Sequence, residues 1–473
     1  MTLKAEGQSL QSLIDTVPDL VRYFHNDTVA PHFRARTRLI AAFIPPEFTN
    51  WRDEQRAWRD TAILFDQSHH MPELFLKGPD ALRLLGRVGI NSLAGFGPDR
   101  AKQFVACTPR GHVIGDSILY HRDPDHFELV SGMPALNWVE YQARTGGYDV
   151  QITRDAPSAY NPKGRRILYR FQLDGPNASK IFDEVVDGGA PEIAFFHTAR
   201  VKIRGHEVLV LRHGMAGHRG AELSGPFEEM DLIRNALLEA GEKHGLVQGG
   251  TKSYVSTLYE SGWMAYPLPG IYTGEELQGF RGWLPANGWE GNAQLGGSFL
   301  SSDIEHYYVT PWNLGYDRFL KFDHDFIGRK ALETMASQSQ RTRMTLVWRP
   351  EDVVRVYASQ FGEGPRFKAL DFPVSHYGYP HFDEVRGPDG QVVGLSCHCG
   401  YSGNEGAVLS LAMLDREFAN PGTEVVLTWG EPGGGSRKPH VERHEQTTIR
   451  ATVAPAPYAS AVQKLKRVSI GRA

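Results

Sequence analysis

One short pattern limits the fold more than any other feature of the sequence: a strand with alternating apolar residues, then Gly-Pro, then a helix. It occurs at residues 73–86 and again at residues 169–183. The alternation predicts a strand, and Gly-Pro-Asp or Gly-Pro-Asn opens the helix. In the first copy we expect the buried side of the helix to carry Leu82, Leu84 and Leu85. The two copies indicate related αβ units within one chain.

Most other predicted strands belong to hairpins. Residues 199–212 alternate on both sides of Arg204-Gly205, and further strands are predicted at 343–348, 392–397, 424–429 and 448–453. A long amphipathic helix begins at Pro226 and is capped by Gly245. We find neither a run of buried parallel strands nor a dinucleotide fingerprint, so the predicted class is antiparallel α+β.

Composition excludes several classes of protein. The 473 residues include 51 Lys and Arg against 55 Asp and Glu, a net charge of −4, which argues against nucleic acid or an anionic membrane as a partner. No apolar run is long enough to span a bilayer. Three cysteines cannot form a disulfide framework, and the N-terminal residues lack an apolar signal segment. These features predict a cytoplasmic location.

Two short motifs suggest a metal site without supporting one. His69 and His70 are adjacent, so in an extended segment they point to opposite faces; each is either a satisfied polar residue or part of a site. Cys397-His398-Cys399 places both thiols on one face of an alternating strand, but no second cysteine pair completes four zinc ligands. Burial as small apolar residues is the favoured interpretation, and we predict no metal.

Two further segments have both a structural and a functional interpretation. Residues 213–222 are rich in Gly and Ala, follow a strand and end in Glu222. Such a segment is either a surface loop or a close backbone approach to a ligand, where a carboxylate accepts two hydrogen bonds from a planar donor edge. Tyr254, Tyr259 and Trp263 are either core residues or rings that stack on a flat heterocycle.

Taken in order, several segments resemble the folate-dependent aminomethyltransferases, the family of the glycine-cleavage T-protein. They are LFDQSHHMPELFLKGPDALRLL, TPRGHVIGDSILY, the stretch ending in Glu222, TPWNLGYDRFLKFDHDFIGRKAL and VVGLSCHCGYSGNEGAVLSLAMLD. The resemblance runs from about residue 50 to residue 455. Within the family, NWRDEQRAWRDTAILFDQSHHM, LRHGMAG, ESGW, GGSFLSSDIEHYYV and KFDHDFIGR look most like the tetrahydrofolate-dependent aryl O-demethylases of vanillate and syringate type.

The resemblance implies a three-domain cloverleaf of the aminomethyltransferase type around a folate channel. It consists of antiparallel sheets with packed helices and a C-terminal β-rich domain. We expect residues 1–50 and 150–270 to form a discontinuous folate-binding domain and residues 51–149 a second α+β domain. Residues 271–340 would connect these to the β-rich domain at 341–460.

The resemblance also implies the cofactor, tetrahydrofolate, and the residues that bind it. In the family the pterin ring lies against a carboxylate and aromatic rings. Those positions match Glu222, Phe195 and Trp263 here, and Asp116 is a further candidate cofactor contact. A pterin edge offers adjacent N–H donors to a carboxylate, and its face suits stacking.

The implied reaction transfers an aryl methyl group from a methoxyaromatic acid to tetrahydrofolate. Tyr254 matches the catalytic tyrosine of the demethylases and is the candidate acid, since a donor at the ether oxygen stabilises the leaving phenolate. His70 matches a pocket histidine and is expected to orient Tyr254 or substrate. Gln67 and His69 are candidate substrate contacts. The sequence leaves the oligomeric state open.

Three positions depart from the family pattern. The aminomethyltransferases have paired aspartates where this chain has Gly115-Asp116, which disfavours the aminomethyl reaction. Vanillate-type enzymes are expected to have a Tyr and a carboxylate-binding Arg where this chain has Ala41 and Gly132. Two small residues would leave room for a second methoxy group, which favours a syringate-like substrate over vanillate or 3-O-methylgallate. The alternatives are a folate-binding accessory protein without turnover and an aminomethyltransferase.

Overall fold

The computed structural model describes residues 7–25, 43–161, 165–215, 220–375, 378, 380–435 and 441–459. The α-helices of these residues are α1 (Leu10–Thr16), α2 (Leu20–His25), α3 (Trp51–Asp60), α4 (Ala81–Val88), α5 (Met133–Thr145), α6 (Ala178–Val185), α7 (Met230–Gly241), α8 (Thr251–Ser261), α9 (Gln278–Trp283), α10 (Arg329–Ala336) and α11 (Pro350–Ala358).

The strands fall into three sheets, two of them open and one closed. In chain order they are β1 (Ala62–Asp66), β2 (Glu73–Lys77), β3 (Arg100–Cys107), β4 (Val113–Asp123), β5 (His126–Ser131), β6 (Gln151–Asp155), β7 (Leu168–Asp174), β8 (Thr198–Ile203), β9 (His206–Leu211), β10 (Ala221–Pro226), β11 (Leu246–Gly249), β12 (Thr342–Trp348), β13 (Asp383–Arg386), β14 (Val392–Ser402), β15 (Ala407–Leu414), β16 (Glu424–Trp429) and β17 (Thr447–Pro455).

The first sheet has the strand order β11–β1–β7–β10–β9–β8. Its neighbours are antiparallel except β1 and β11, which run parallel with Phe65 opposite Gly249. One face packs against α6 and α7 and is apolar, with Phe171, Leu173 and Leu223 fully buried. Because side chains alternate along a strand, the polar residues between these point to the other face. That second face carries the candidate site.

The second sheet is antiparallel throughout, in the order β3–β4–β5–β2–β6. Helix α5 packs on one face, where Gly115 of β4 approaches it so closely that an added Cβ would lie 3.1 Å from the backbone nitrogen of Ala135. The other face meets the first sheet through buried ion pairs from Arg170 to Glu73 and Glu128. The two open sheets are therefore joined by charges rather than by apolar packing alone.

The C-terminal strands close into a barrel in the order β12–β15–β14–β13–β16–β17. Its interior is an apolar cluster that includes Trp348, Leu427 and Trp429. Other residues of β14 and β15, among them Leu395 and Leu411, join the largest apolar core of the molecule, which also holds the second sheet and α1. The α+β class with a β-rich C-terminal region is confirmed.

The repeated Gly-Pro pattern is confirmed at both positions, where β2 leads into α4 and β7 into α6. Gly78 and Gly175 have φ of +149° and +115°. A Cβ there would lie 2.4 Å from the Asp149 carbonyl oxygen or 2.7 Å from the Thr61 carbonyl oxygen, so both turns need glycine. The expected burial of Leu82 was wrong: it is 40% exposed, because it lies about 200° around the helix from buried Leu84.

The sheets divide the chain at different residues from the predicted domain boundaries. Strand β1, expected in the domain 51–149, pairs in the first sheet, and β6, expected within 150–270, pairs in the second. Helix α1 and parts of residues 271–340 pack into the core of the second sheet. Local periodicity predicts that a strand exists, whereas its sheet is set by long-range pairing. The division into domains therefore stays a prediction, with β1 and β6 as its exceptions.

The two thiols of Cys397-His398-Cys399 are both buried, as expected, but not on one face. Cys397 joins the largest core and Cys399 the barrel interior. The pairing of β14 with β15 shifts between Cys397 and Gly400, and His398 has φ of +50°. This bulge breaks the alternation on which the prediction depended. In the described part of the chain, no helix is long and apolar enough to cross a membrane.

Candidate active site

The polar face of the first sheet is built from residues that lie opposite one another in neighbouring strands. Phe65 of β1, Gln172 of β7 and Glu222 of β10 form one row across the sheet. Arg170 and Ser224 form the next row on the same face. In β7 the residues between them, including Phe171, belong to the apolar cluster on the opposite face. Simple alternation therefore collects buried polar groups where the first sheet faces the second.

Tyr254, His70 and Gln67 meet at one edge of this sheet. Parallel strands end at the same edge, and β1 and β11 are parallel. Residues 67–70 follow β1, and α8, which carries Tyr254, begins two residues after β11. His70 Nε2 lies 3.0 Å from the Tyr254 hydroxyl oxygen, and Gln67 Nε2 donates to that oxygen over 3.3 Å. The structure thus brings together three of the residues that the sequence selected.

The electrostatics of this group keep it uncharged. Removal from water, followed by the nearby Arg166 and His69, lowers the pKa of His70 to about 3, so the imidazole is neutral at pH 7. Burial is also the main cause that raises the pKa of Tyr254, and the nearby Tyr266 and Glu222 add to it. The phenol therefore keeps its proton. A neutral tyrosine is a hydrogen-bond donor and a potential acid.

The bonds around Tyr254 leave acceptor and donor capacity unused. Gln67 Oε1 and His70 Nδ1 are buried and have no hydrogen-bond partner. With Gln67 already donating to the phenol oxygen, the His70 tautomer that carries its proton on Nε2 supplies a second donor. In that tautomer the hydroxyl proton of Tyr254 is turned away from both side chains, whereas in the other tautomer the hydroxyl donates to His70 Nε2.

Glu222, also selected from the sequence, lies in a buried network of charges. Its Oε1 accepts hydrogen bonds from the Arg170 guanidinium and the Tyr120 hydroxyl. Arg170 also donates to Glu73 over 2.9 Å and to Glu128. Burial alone would lower the pKa of Arg170, but Tyr120 and the carboxylates raise it well above its usual value. Glu222 is therefore fixed through one oxygen by a permanent cation.

Trp263 and Asp116 are in contact with each other. The Trp263 Nε1–H lies 3.4 Å from Asp116 Oδ2 and donates to the Tyr316 hydroxyl oxygen over 2.9 Å. Tyr316 and Gln103 donate to the same Asp116 oxygen over 2.8 Å and 2.6 Å. Burial raises the pKa of Asp116, while these donors act to lower it. The carboxyl group fixes the plane of the indole ring.

The structure does not bring His69 and Phe195 into these clusters. His69 Nδ1 lies 2.9 Å from the Ser158 hydroxyl, and its ring stacks on Phe43 with centroids 4.7 Å apart. It points away from Tyr254, as adjacency to His70 requires. Phe195 is 67% exposed, and its described ring contacts are with Phe196 and His213. Their roles as a substrate contact and a stacking partner stay predictions.

Sequence reasoning missed Arg170, Gln172 and Tyr120. The signal was present in part, because polar and apolar residues alternate in the segment 168–174. That alternation separates a polar face from an apolar one, but the identity of the opposing strands is needed to show what the polar face contacts. Within the described residues, no three His, Cys, Asp or Glu side chains are grouped so that they could hold a metal ion.

Comparisons with known proteins agree with this architecture. Residues 23–268 match the GCVT N-terminal domain. The chain is 44% identical over 454 residues to the syringate O-demethylase of Sphingobium sp. (strain NBRC 103272 / SYK-6), covering 96% of each chain. It is 30% identical over 432 residues to the sesamin methylene transferase of Sinomonas sp. (strain No.22), covering 88% of this chain and 90% of the relative.

A solved structure supports the fold. The glycine cleavage system aminomethyltransferase T from Bartonella henselae superposes with a TM-score of 0.59 at 18% identity, covering 90% of this chain and 97% of that one. This confirms the aminomethyltransferase type of fold. With a domain model matching about half of the chain and a relative similar over almost all of it, this protein belongs to the family of the GCVT N-terminal domain.

Proposed function

We propose that this protein is a tetrahydrofolate-dependent aryl O-demethylase. It transfers the methyl group of a methoxybenzoate, syringate-like in its substitution, to tetrahydrofolate and releases 5-methyltetrahydrofolate and a phenol. The observation that carries the proposal is the state of Tyr254, a protonated phenol whose oxygen is held by Gln67 and His70. The similarity to syringate O-demethylase supports the substrate class.

The residues on the polar face of the first sheet fit a reduced pterin. Besides Glu222, this face holds the buried Gln172, whose Oε1 has no hydrogen-bond partner; its Nε2 donates to the His213 carbonyl oxygen over 3.0 Å. A carboxylate and an amide oxygen side by side match the N–H groups of a pterin edge. Trp263 offers the aromatic face. Tetrahydrofolate supplies the nucleophilic ring nitrogen that accepts the methyl group.

Tyr254 acts on the leaving group. In the transfer, the bond between the methyl carbon and the ether oxygen breaks and its electron pair stays on the phenol oxygen. Tyr254 donates its proton there, and the proton released at the accepting nitrogen balances this donation. General acid catalysis of this kind contributes about 10²–10⁴-fold. Two donors on the Tyr254 oxygen stabilise the phenolate that Tyr254 transiently becomes.

Asp116 is assigned a positioning role in this scheme. Its Oδ2 receives bonds from Tyr316, Gln103 and the Trp263 indole. These contacts orient the ring on which the pterin would stack. A Cβ at Gly115 would lie 3.1 Å from the backbone nitrogen of Ala135, so the paired aspartate of the aminomethyltransferases would require α5 to shift. This packing argues against aminomethyl transfer as the activity.

The deciding experiment is a transfer assay with purified protein, tetrahydrofolate, and syringate, vanillate or 3-O-methylgallate. We expect 5-methyltetrahydrofolate and the matching phenol in equal amounts. No methyltetrahydrofolate from any of the three would refute the proposal. Folate binding without turnover would indicate the accessory-protein alternative instead. Activity only with a lipoyl carrier would indicate an aminomethyltransferase.

A further inference from the structure

Tyr266 has an unusual backbone conformation close to the candidate site. Its φ is +54°, in the left-handed region that residues with bulky side chains rarely adopt. Such a conformation costs free energy and persists only where the surroundings impose it, which in proteins is most often at functional sites. It follows Trp263 by three residues on the same loop. This backbone conformation raises the question of which function requires the loop to be held in place.

The barrel holds this loop. His398, at the bulge of β14, is buried, has φ of +50°, and hydrogen-bonds the backbone of Ala265. Two residues with left-handed backbones thus meet where the loop touches the barrel. Regular pairing of β14 would turn His398 to the other face of the strand. The bulge therefore directs His398 to the backbone beside Tyr266.

The ring of Tyr266 lies among the groups assigned to the reaction. Its centroid is 6.4 Å from Trp263 and 5.4 Å from Trp289. It is also the neighbouring side chain with the largest effect on the pKa of Tyr254, which it raises. Tyr266, Trp263 and Tyr254 are all partly exposed, as residues that line a ligand cavity are. The ring is therefore a neighbour of both the candidate acid and the candidate stacking surface.

Gly132 makes space for this ring. A Cβ at Gly132 would lie 2.9 Å from Cε1 and 3.1 Å from Cδ1 of Tyr266. Its φ of −67° is open to any residue, so the demand for glycine comes from the ring and not from the backbone. Gly132 and Ala41 are the two small residues expected to leave room for a second methoxy group. Ala41 lies outside the described residues, and beside Gly132 the space holds the Tyr266 ring.

We infer that Tyr266 forms one wall of the aryl-ether pocket and determines which ring substituents the pocket accepts, with Gly132 kept bare to admit its ring. This inference rests on the proposed function. The ligand class is a benzoate with methoxy or hydroxyl groups on neighbouring ring carbons. Aromatic rings contact one another edge-to-face or offset, so the Tyr266 ring can pack against the ring of such a substrate.

The test compares Tyr266→Leu, Tyr266→Phe and Gly132→Ala with the wild type on syringate, 3-O-methylgallate and vanillate. We expect the ratio of kcat/KM for syringate to that for vanillate to change at least about tenfold in Tyr266→Leu. The same variant should bind tetrahydrofolate within about twofold of wild type by titration calorimetry, and equilibrium dialysis should show weaker syringate binding. Tyr266→Phe separates the hydroxyl from the ring and is the variant expected to fold without repacking.

We also expect the effects of Gly132→Ala and Tyr266→Leu on the substrate ratio to be non-additive. The methyl group of Gly132→Ala clashes with a ring, so it should alter the substrate ratio much less in the Tyr266→Leu background than in wild type. Tyr148→Leu, which removes a partly exposed tyrosine stacked under Arg83, is the matched control and should leave the ratio unchanged. An active wild type with an unchanged ratio in both Tyr266 variants overturns the inference alone. A wild type inactive on all three arenes overturns the proposed function and this inference with it.

Discussion

Two polar clusters of the site, only one sheet row apart, are built on opposite principles. The cluster around Glu222 is built on ion pairs, and Arg170 bonds three carboxyl groups at once. The cluster around Tyr254 is neutral and under-bonded, with Gln67 Oε1 and His70 Nδ1 left without partners. Ion pairs that share one cation fix geometry because Arg170 cannot move without losing several bonds. Spare bonding capacity in a neutral group is instead available to a reacting molecule.

The substitution with the largest expected effect lies in the neutral cluster. Tyr254→Phe removes the proton donor and leaves the ring in place against Phe65. We expect kcat to fall by about 10²–10⁴-fold, or roughly 3–5 kcal/mol of transition-state stabilisation, with folate affinity unchanged. Single-turnover formation of 5-methyltetrahydrofolate, paired with a folate titration, measures both. A rate within threefold of wild type would remove Tyr254 from the mechanism.

Breaking the charged cluster should act on stability first. Arg170→Met leaves Glu222, Glu73 and Glu128 buried without their common cation. Loss of one partner of a buried ion pair costs about 3–5 kcal/mol. Urea unfolding measures the change in the free energy of unfolding. Arg144→Met, at an exposed arginine that pairs with Glu140 on α5, is the matched control and should cost about 0.5 kcal/mol or less.

The pH dependence of stability sharpens the contrast. His70 has a folded pKa of about 3, below the unfolded value near 6.5, so the unfolded chain binds the proton first as pH falls. The stability contributed by neutral His70 is complete above pH 6.5 and is lost between pH 6.5 and 3. The loss is at most about 1.4 kcal/mol per pH unit.

The variant that checks this is His70→Asn. Its free energy of unfolding should fall less steeply than that of wild type between pH 6.5 and 4.5. His306→Asn, at an exposed histidine, should follow the wild-type curve. Parallel curves for His70→Asn and wild type would show that the imidazole titrates normally in the fold.

The smallest expected effect comes from one hydrogen bond of the neutral cluster. Gln67→Leu removes the hydrogen bond that Gln67 donates to the Tyr254 oxygen. A single hydrogen bond contributes about 0.5–1.5 kcal/mol, so kcat should fall by about 2–10-fold with the stability little changed. Gln391→Leu, at an exposed glutamine, is the control. A loss as large as that of Tyr254→Phe would mean that Gln67 holds the substrate instead.

Local features were predicted well from the sequence. The alternation of 199–212 predicted β8 and β9, and Gly-Pro predicted the starts of α4 and α6. Tyr254, His70 and Gln67 came from the resemblance, and the structure joins them. Which of the two adjacent histidines faces Tyr254 depends on the twist of the chain after β1, and no local pattern encodes it. The prediction that Cys397 and Cys399 share one face was wrong because of the bulge in β14, which no local pattern encodes either.

The sequence did not predict which residues of distant segments contact one another. Arg170 occupies an alternating strand like many others, and only the pairing of β7 with β10 places it beside Glu222. The space at Gly132 is filled by Tyr266, which lies on a loop without periodicity. Register and loop conformation follow from the whole packed core, so a single-sequence pattern reaches neither.

The parallel pair β1 and β11 has a consequence for how the protein is made. Gln67 and Tyr254 are 187 residues apart in the chain, and this pair helps to bring their segments together. Hairpins such as β8–β9 close quickly from neighbouring residues, whereas closing so long a loop is slow. The cluster of Gln67, His70 and Tyr254 can therefore form only after the ribosome has synthesised α8. Every shorter nascent chain lacks this cluster and has no activity.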